Sequence, residues 1–239
     1  MRCIFCKVDS SSSRSREHIL PESLGNVEHT LPCGVVCDLC NNYFSRKLEK
    51  PILDSPIFQL LRAGMQIANK RGRVPAFPNQ QGLPLPTYRL MGRFLGKIGL
   101  EVLASRVLDV HGGWNQEIIE KAELDDLRNY VRFNEGAEDW PFSFRTLYPV
   151  NAVFEERGTF FEVLHEYQLV YTDAFELYVV VAILGVEFAI NLGGPTLEGY
   201  ARWLEANDHR SPLYPEVPPN QSLERKEPDA SRPARRSST

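Results

Sequence analysis

No stretch of this 239-residue chain approaches the ~20 consecutive apolar residues that a bilayer span requires. The richest run, Leu177 to Leu192, is broken by Gly185 and Glu187. The N-terminus, MRCIFCKVDS, lacks an apolar core of signal-peptide length, so a soluble, cytoplasmic protein with no membrane contact is expected. Cysteine is scarce and odd in number, five in all, which argues against a disulfide framework. No internal repeat is present. Residues 88–208 hold no motif that translates into chemistry; His111 and His165 read as structural or exposed, and Trp114, Trp140 and Trp203 as packing residues.

What is there is unevenly distributed. The net charge of −4 hides 7 basic and 6 acidic side chains in residues 1–50, 8 and 3 in 51–110, and 6 and 18 in 111–209. A polyanion is therefore attracted to the first 110 residues and repelled by the following stretch.

Residues 1–50 are dense in Cys, His, Asn and Ser and poor in large apolar residues. Such a unit cannot build an ordinary core and needs a metal. Periodicity predicts a helix from Asn41 to Lys50, ended by Pro51, and another from Ile57 to Asn69. With the Pro-rich stretch Gly72–Pro86 this second helix forms a connector over residues 51–87. Tyr88 to Ser105 reads as a helix whose Gly92, Gly96 and Gly99 permit close approach of a neighbour. Its Arg89, Arg93 and Lys97 fall on one stripe. Glu117 to Arg132 is an acidic helix candidate. The runs 159–172 and 174–192, rich in Val, Phe, Tyr and Ile, suit paired antiparallel strands, with a closing helix over Leu197–Ala206. Pro, Ser and charge dominate residues 209–239, as in a disordered tail. The expected class is α+β: a small metal-stapled module at 1–50, then a mixed helical and antiparallel-sheet accessory domain at 88–208.

The cysteines carry the strongest signal. Cys3 and Cys6 form CIFC, Cys37 and Cys40 form CDLC, and 30 residues separate the pairs. Two such knuckles complete a tetrahedron of thiolates around a structural Zn²⁺ at Zn–S distances of ~2.3 Å, leaving Cys33 as a spectator. Between the pairs lies REHILPESLGN. Glu17 offers a carboxylate suited to a hard cation, and His18 an imidazole able to take a proton from water near neutral pH.

The whole run, CIFC, then SREHILPESLGN, then GVVCDLCNNYFSRKLE, resembles the zinc-containing branch of the HNH endonucleases. The resemblance rests on Glu17-His18-Ile19-Leu20-Pro21, a knuckle on each side, and an Asn directly after the last cysteine. It implies a ββα-metal module that hydrolyses phosphodiesters in nucleic acid, with double-stranded DNA the expected partner. His18 becomes the general base, and Glu17 and Asn41 become ligands of a catalytic Mg²⁺ or Mn²⁺. The zinc on Cys3, Cys6, Cys37 and Cys40 does no chemistry. Asn42 is an alternative to Asn41; the segment GNVEHTLPCG offers Asn26 and His29 but no clear match to the family's central Asn, and His29 reads as a loop residue rather than a further ligand. Ser45 stands one turn after Asn41, where a second His ligand would fall. Arg16, Arg46 and Lys47 are candidate phosphate contacts. A second reading keeps the zinc knuckle as a nucleic-acid- or protein-binding module with a vestigial nuclease site.

Overall fold

Two short antiparallel strands, β1 (Glu17–His18) and β2 (Thr30–Leu31), pair Glu17 with Leu31 and His18 with Thr30. Helix α1 (Asp38–Phe44) begins at Cys37, whose Sγ accepts the Cys40 N–H as an N-cap. It continues through a π turn (Ser45–Glu49) into one more helical turn, Lys50–Leu53. Pro51 thus does not end the helix, contrary to expectation. It occupies the first turn of that last segment, and the wider turn before it accommodates the missing N–H. Helix α2 (Pro56–Gly64) is shorter than predicted, because Gln66 adopts a left-handed φ of 57° and Ile67 folds back over Gly25.

In this computed structural model the described residues are 1–26, 28–69, 71–77, 86–113, 116, 120–146 and 166–215. Outside them lie most of the Pro-rich connector, Trp114, His165, the strand expected before residue 166 and the tail beyond 215. Among the described residues no helix is long and apolar enough to cross a membrane.

Helix α3 (Tyr88–His111) is the long central element, followed by α4 (Asp125–Arg128) with a 3₁₀ turn before it and a π turn (Asn129–Phe133) after it. Strands β3 (Phe142–Thr146), β4 (Tyr167–Tyr171), β5 (Leu177–Ile183) and β6 (Val186–Asn191) form an antiparallel sheet in the order β3-β6-β5-β4. The chain closes with α5 (Glu198–Ala206), and the class is α+β.

The period of two explains why β5, and β6 apart from Glu187 and Asn191, are apolar on both faces. Val179, Val181, Phe188 and Ile190 join the core that contains α3, whereas Tyr178, Val180 and Ala189 pack with Tyr200 of α5. The larger core also contains Ile4, Phe5, Leu20, Phe44 and Leu48, so apolar packing runs unbroken from the N-terminal module into α3 and the sheet. Chain packing extends beyond residue 209, where a disordered tail was expected. Ser211 is buried and donates to Glu187, which also accepts from Tyr200 and Arg145.

The glycines of α3 do permit close approach. A Cβ on Gly92 would lie 2.8 Å from both the Trp140 carbonyl and Tyr130 Oη. Helix propensity alone favours Ala over Gly by about 1 kcal/mol. Backbone at that distance cannot yield cheaply, so Gly92→Ala is expected to destabilise the protein by about 1–3 kcal/mol. A urea midpoint that rises instead would show that the contact is soft.

Candidate active site

The N-terminal knuckle is a tight turn in which Cys3 N–H donates to the Val8 carbonyl and Lys7 takes a φ of 57°. The second knuckle is the first turn of α1. The sulfurs of Cys3, Cys6, Cys37 and Cys40 lie within 4.8 Å of one another. Four soft donors in that compass fit a structural zinc ion and leave it no position for water. The hydrogen bond from the Cys40 thiol, aided by backbone N–H groups, pulls Cys3 down to about 5. Burial pushes Cys6 up to about 11, and the bond to Cys3 raises Cys40. One thiolate therefore opposes the next, and only a cation lets all four ionise. Cys33 stands apart, exposed, its Sγ donating to the Arg14 carbonyl, as expected of a spectator.

Distant residues brace this cluster. Arg132, in the π turn after α4, donates from Nε to Cys40 Sγ at 3.1 Å and lies 4.1 Å over the Tyr43 ring. Arg128 donates to the Ile4 carbonyl at 2.8 Å, and Asp125 pairs with Lys7 at 2.5 Å. The acidic segment predicted over 117–132 thus offers Asp125 to a cation of the first knuckle.

With the clamp in place, α1 lies across β1. Asn41 Nδ2 donates to the Arg16 carbonyl at 3.4 Å, which leaves its Oδ1 as the acceptor. Glu17, His18 and Asn41 line one cavity of about 390 Å³. Asn42 is exposed and is not part of that lining. Ser45 and Glu49, one and two turns beyond Asn41 on the same helix face, line it too. Arg16 is on its rim, while Arg46 and Lys47 are exposed outside the lining. His29 is also elsewhere, packed edge-on against Tyr167 with ring centroids 5.0 Å apart. Asn26 is buried and staples the hairpin loop, donating to the Leu20 carbonyl at 2.7 Å and accepting from the His29 N–H at 3.0 Å.

Behind the cavity stands a residue that the sequence places on a basic stripe. Lys97 of α3 is fully buried, with Nζ 2.7 Å from Glu17 Oε1, 2.9 Å from Glu49 Oε1, 3.0 Å from Glu101 Oε2 and 3.0 Å from the His18 carbonyl. Burial opposes its charge, but three carboxylates outweigh burial and hold the ammonium well above the usual lysine range. Burial raises Glu17 despite Lys97 beside it, and raises Glu101 further. The stripe is therefore no polyanion-binding face. Arg93 donates to the Tyr130 and Val131 carbonyls and to Tyr43 Oη, and Arg89 to Asn134 and the Ala137 carbonyl. Each of these cations is held by internal acceptors.

Glu49 was legible in principle, since it follows Asn41 and Ser45 at helical spacing. Lys97 and Arg132 carry no local signal. The donors fit a hard divalent cation: a carboxylate and an amide oxygen border the cavity, and Glu17 Oε2 is buried without a hydrogen bond among the described residues. Comparison with curated proteins and with solved structures finds no match. The stretch that folds into clamp, hairpin and first helix is a different matter: residues 3–56 match the family model of the HNH endonucleases.

Proposed function

We propose that this protein is a metal-dependent endonuclease that hydrolyses phosphodiester bonds, with double-stranded DNA as its substrate. The observation that supports it best is the convergence of Glu17 and His18 from β1 with Asn41 from α1 on one open cavity. His18 is the general base: its imidazole takes a proton from the attacking water. Glu17 and Asn41 would hold Mg²⁺ or Mn²⁺, which supplies positive charge to the phosphate as negative charge develops on the leaving oxygen. Arg16, with Arg46 and Lys47 farther out, is assigned to the phosphates of the flanking strand.

A second reading has its own support. Lys97 Nζ already contacts Glu17 at 2.7 Å, and Ser45 stands where an imidazole would complete the ligand set. A zinc-knuckle binding module with a vestigial site would show both features. Incubating zinc-loaded protein with supercoiled plasmid separates the two. Nicking that appears with Mg²⁺ or Mn²⁺, and is absent when neither ion is added to the zinc-loaded protein, is the expected result. Binding without nicking at any concentration of either ion would leave the binding module as the correct reading.

A further inference from the structure

One buried ammonium faces three carboxylates at the back wall of the cavity, contributed by β1, the π turn after α1, and α3 itself. A pair kept for stability would need a single carboxylate; a surplus of buried acid is costly unless something else compensates it. The contacts are also directional. Lys97 engages Oε1 of Glu17 and the carbonyl of His18, the two residues of β1, while Oε2 of Glu17 remains buried with no hydrogen bond among the described residues. Glu17 is 5% exposed, so this orphaned oxygen belongs to a carboxylate almost wholly withdrawn from water, in the wall of a cavity that also exposes Asn41.

We propose that Lys97 is a positioning residue of the cation site: by holding Oε1 of Glu17 and the backbone of His18, it reserves Oε2 of Glu17 for the divalent ion. The inference rests on the nuclease reading above and extends it beyond residues 3–56. Helix α3 then supports the active centre from behind its lining, through Lys97, and the region after the connector contributes to the site. Glu49, held by the same ammonium at 2.9 Å, is kept at the cavity edge by the same device.

The sign of the effect on metal affinity decides the matter. An ammonium acting only as a neighbouring charge repels the ion, so its loss would tighten binding. An ammonium that aims the ligand does the opposite. Mn²⁺ binding to the zinc-loaded full chain is measured by electron paramagnetic resonance titration. The variants are Glu17→Gln, Lys97→Arg, Lys97→Met, and Lys97→Met combined with Glu101→Gln, the last to relieve the unpaired acid and preserve folding. Glu17→Gln is expected to abolish the site. Lys97→Met, alone or in the double variant, is expected to weaken Mn²⁺ at least tenfold at unchanged zinc content, with Lys97→Arg recovering part of the loss. Unchanged or tighter Mn²⁺ binding in a folded Lys97→Met variant overturns the positioning role and leaves the nuclease reading standing. Wild-type Mn²⁺ binding that ignores Glu17→Gln overturns both. If neither Met variant folds, the ¹⁵Nζ resonance of Lys97 in the wild type is followed as Mg²⁺ is added. A saturable shift supports the proposal, and a resonance that never moves overturns it.

Discussion

His18→Ala is expected to lower plasmid nicking by about 10²–10⁴-fold, the range typical of a lost general base. The backbone of His18 braces the module: the carbonyl accepts from Lys97 at 3.0 Å, and the residue pairs with Thr30 in the hairpin. Alanine retains both. The removed imidazole lies in the cavity wall, so fold and zinc content should be unaffected while the chemistry stops. Nicking is followed by gel under Mn²⁺, with zinc content and circular dichroism measured on the same preparations. An alanine variant that nicks at the wild-type rate would remove His18 from the mechanism. Loss of nicking together with zinc would mean that the variant reports on folding.

The second large effect concerns the clamp. Cys37→Ser is expected to release zinc and unfold the N-terminal module, because structural zinc supplies an apparent ~10–16 kcal/mol in units of this kind. Serine is itself a good N-cap, so the bond that Cys37 Sγ accepts from Cys40 N–H has a substitute, and the loss reports on the metal. The damage should spread beyond residue 50. Arg132 loses its sulfur partner at Cys40, Arg128 its anchor on the Ile4 carbonyl, and the shared core is opened from Phe5 and Phe44 toward Phe94 and Ile98. Metal analysis and near-ultraviolet circular dichroism check this directly, since Trp140 and Tyr130 lie in the same core. A native near-ultraviolet spectrum from zinc-free protein would show that the cysteines are not structural.

Taken together, the two variants separate roles that the sequence lists side by side. One imidazole is removed with the backbone frame retained, whereas removing one sulfur takes down the frame that carries the cavity. If nicking is absent from the wild type but nucleic acid still binds, Cys37→Ser should abolish that binding and His18→Ala should not, which is the pattern of the knuckle module.

The amino-acid sequence was informative wherever chemistry depends on residues close along the chain. Cys3 and Cys6, or Cys37 and Cys40, can turn to one ion because they are three apart, and the sulfur cluster brings both pairs together. The near-continuous apolar run through β5 and β6 announces strands, which the fold buries on both faces, and the glycines of α3 announce close packing. Pro51 and Gln66 misled for a local reason: a π turn carries the helix through the first, and a left-handed residue stops the next helix early.

Three residues escaped for a tertiary reason. Lys97, Arg93 and Arg132 look like solvated charge, yet each reaches an acceptor on a segment remote in the chain: Glu17, Tyr43 and Cys40. Whether a lysine faces water or three buried carboxylates is set by which helix lies across which strand, and no spacing rule encodes that crossing. By itself the sequence determined the metal clamp, the Glu-His pair and the class of fold, since these follow from short-range stereochemistry and periodic burial. Only the tertiary structure decided that the basic stripe of α3 is turned inward and that its ammonium stands behind the cavity, because burial of a charge is settled by long-range packing and the electrostatic balance it leaves.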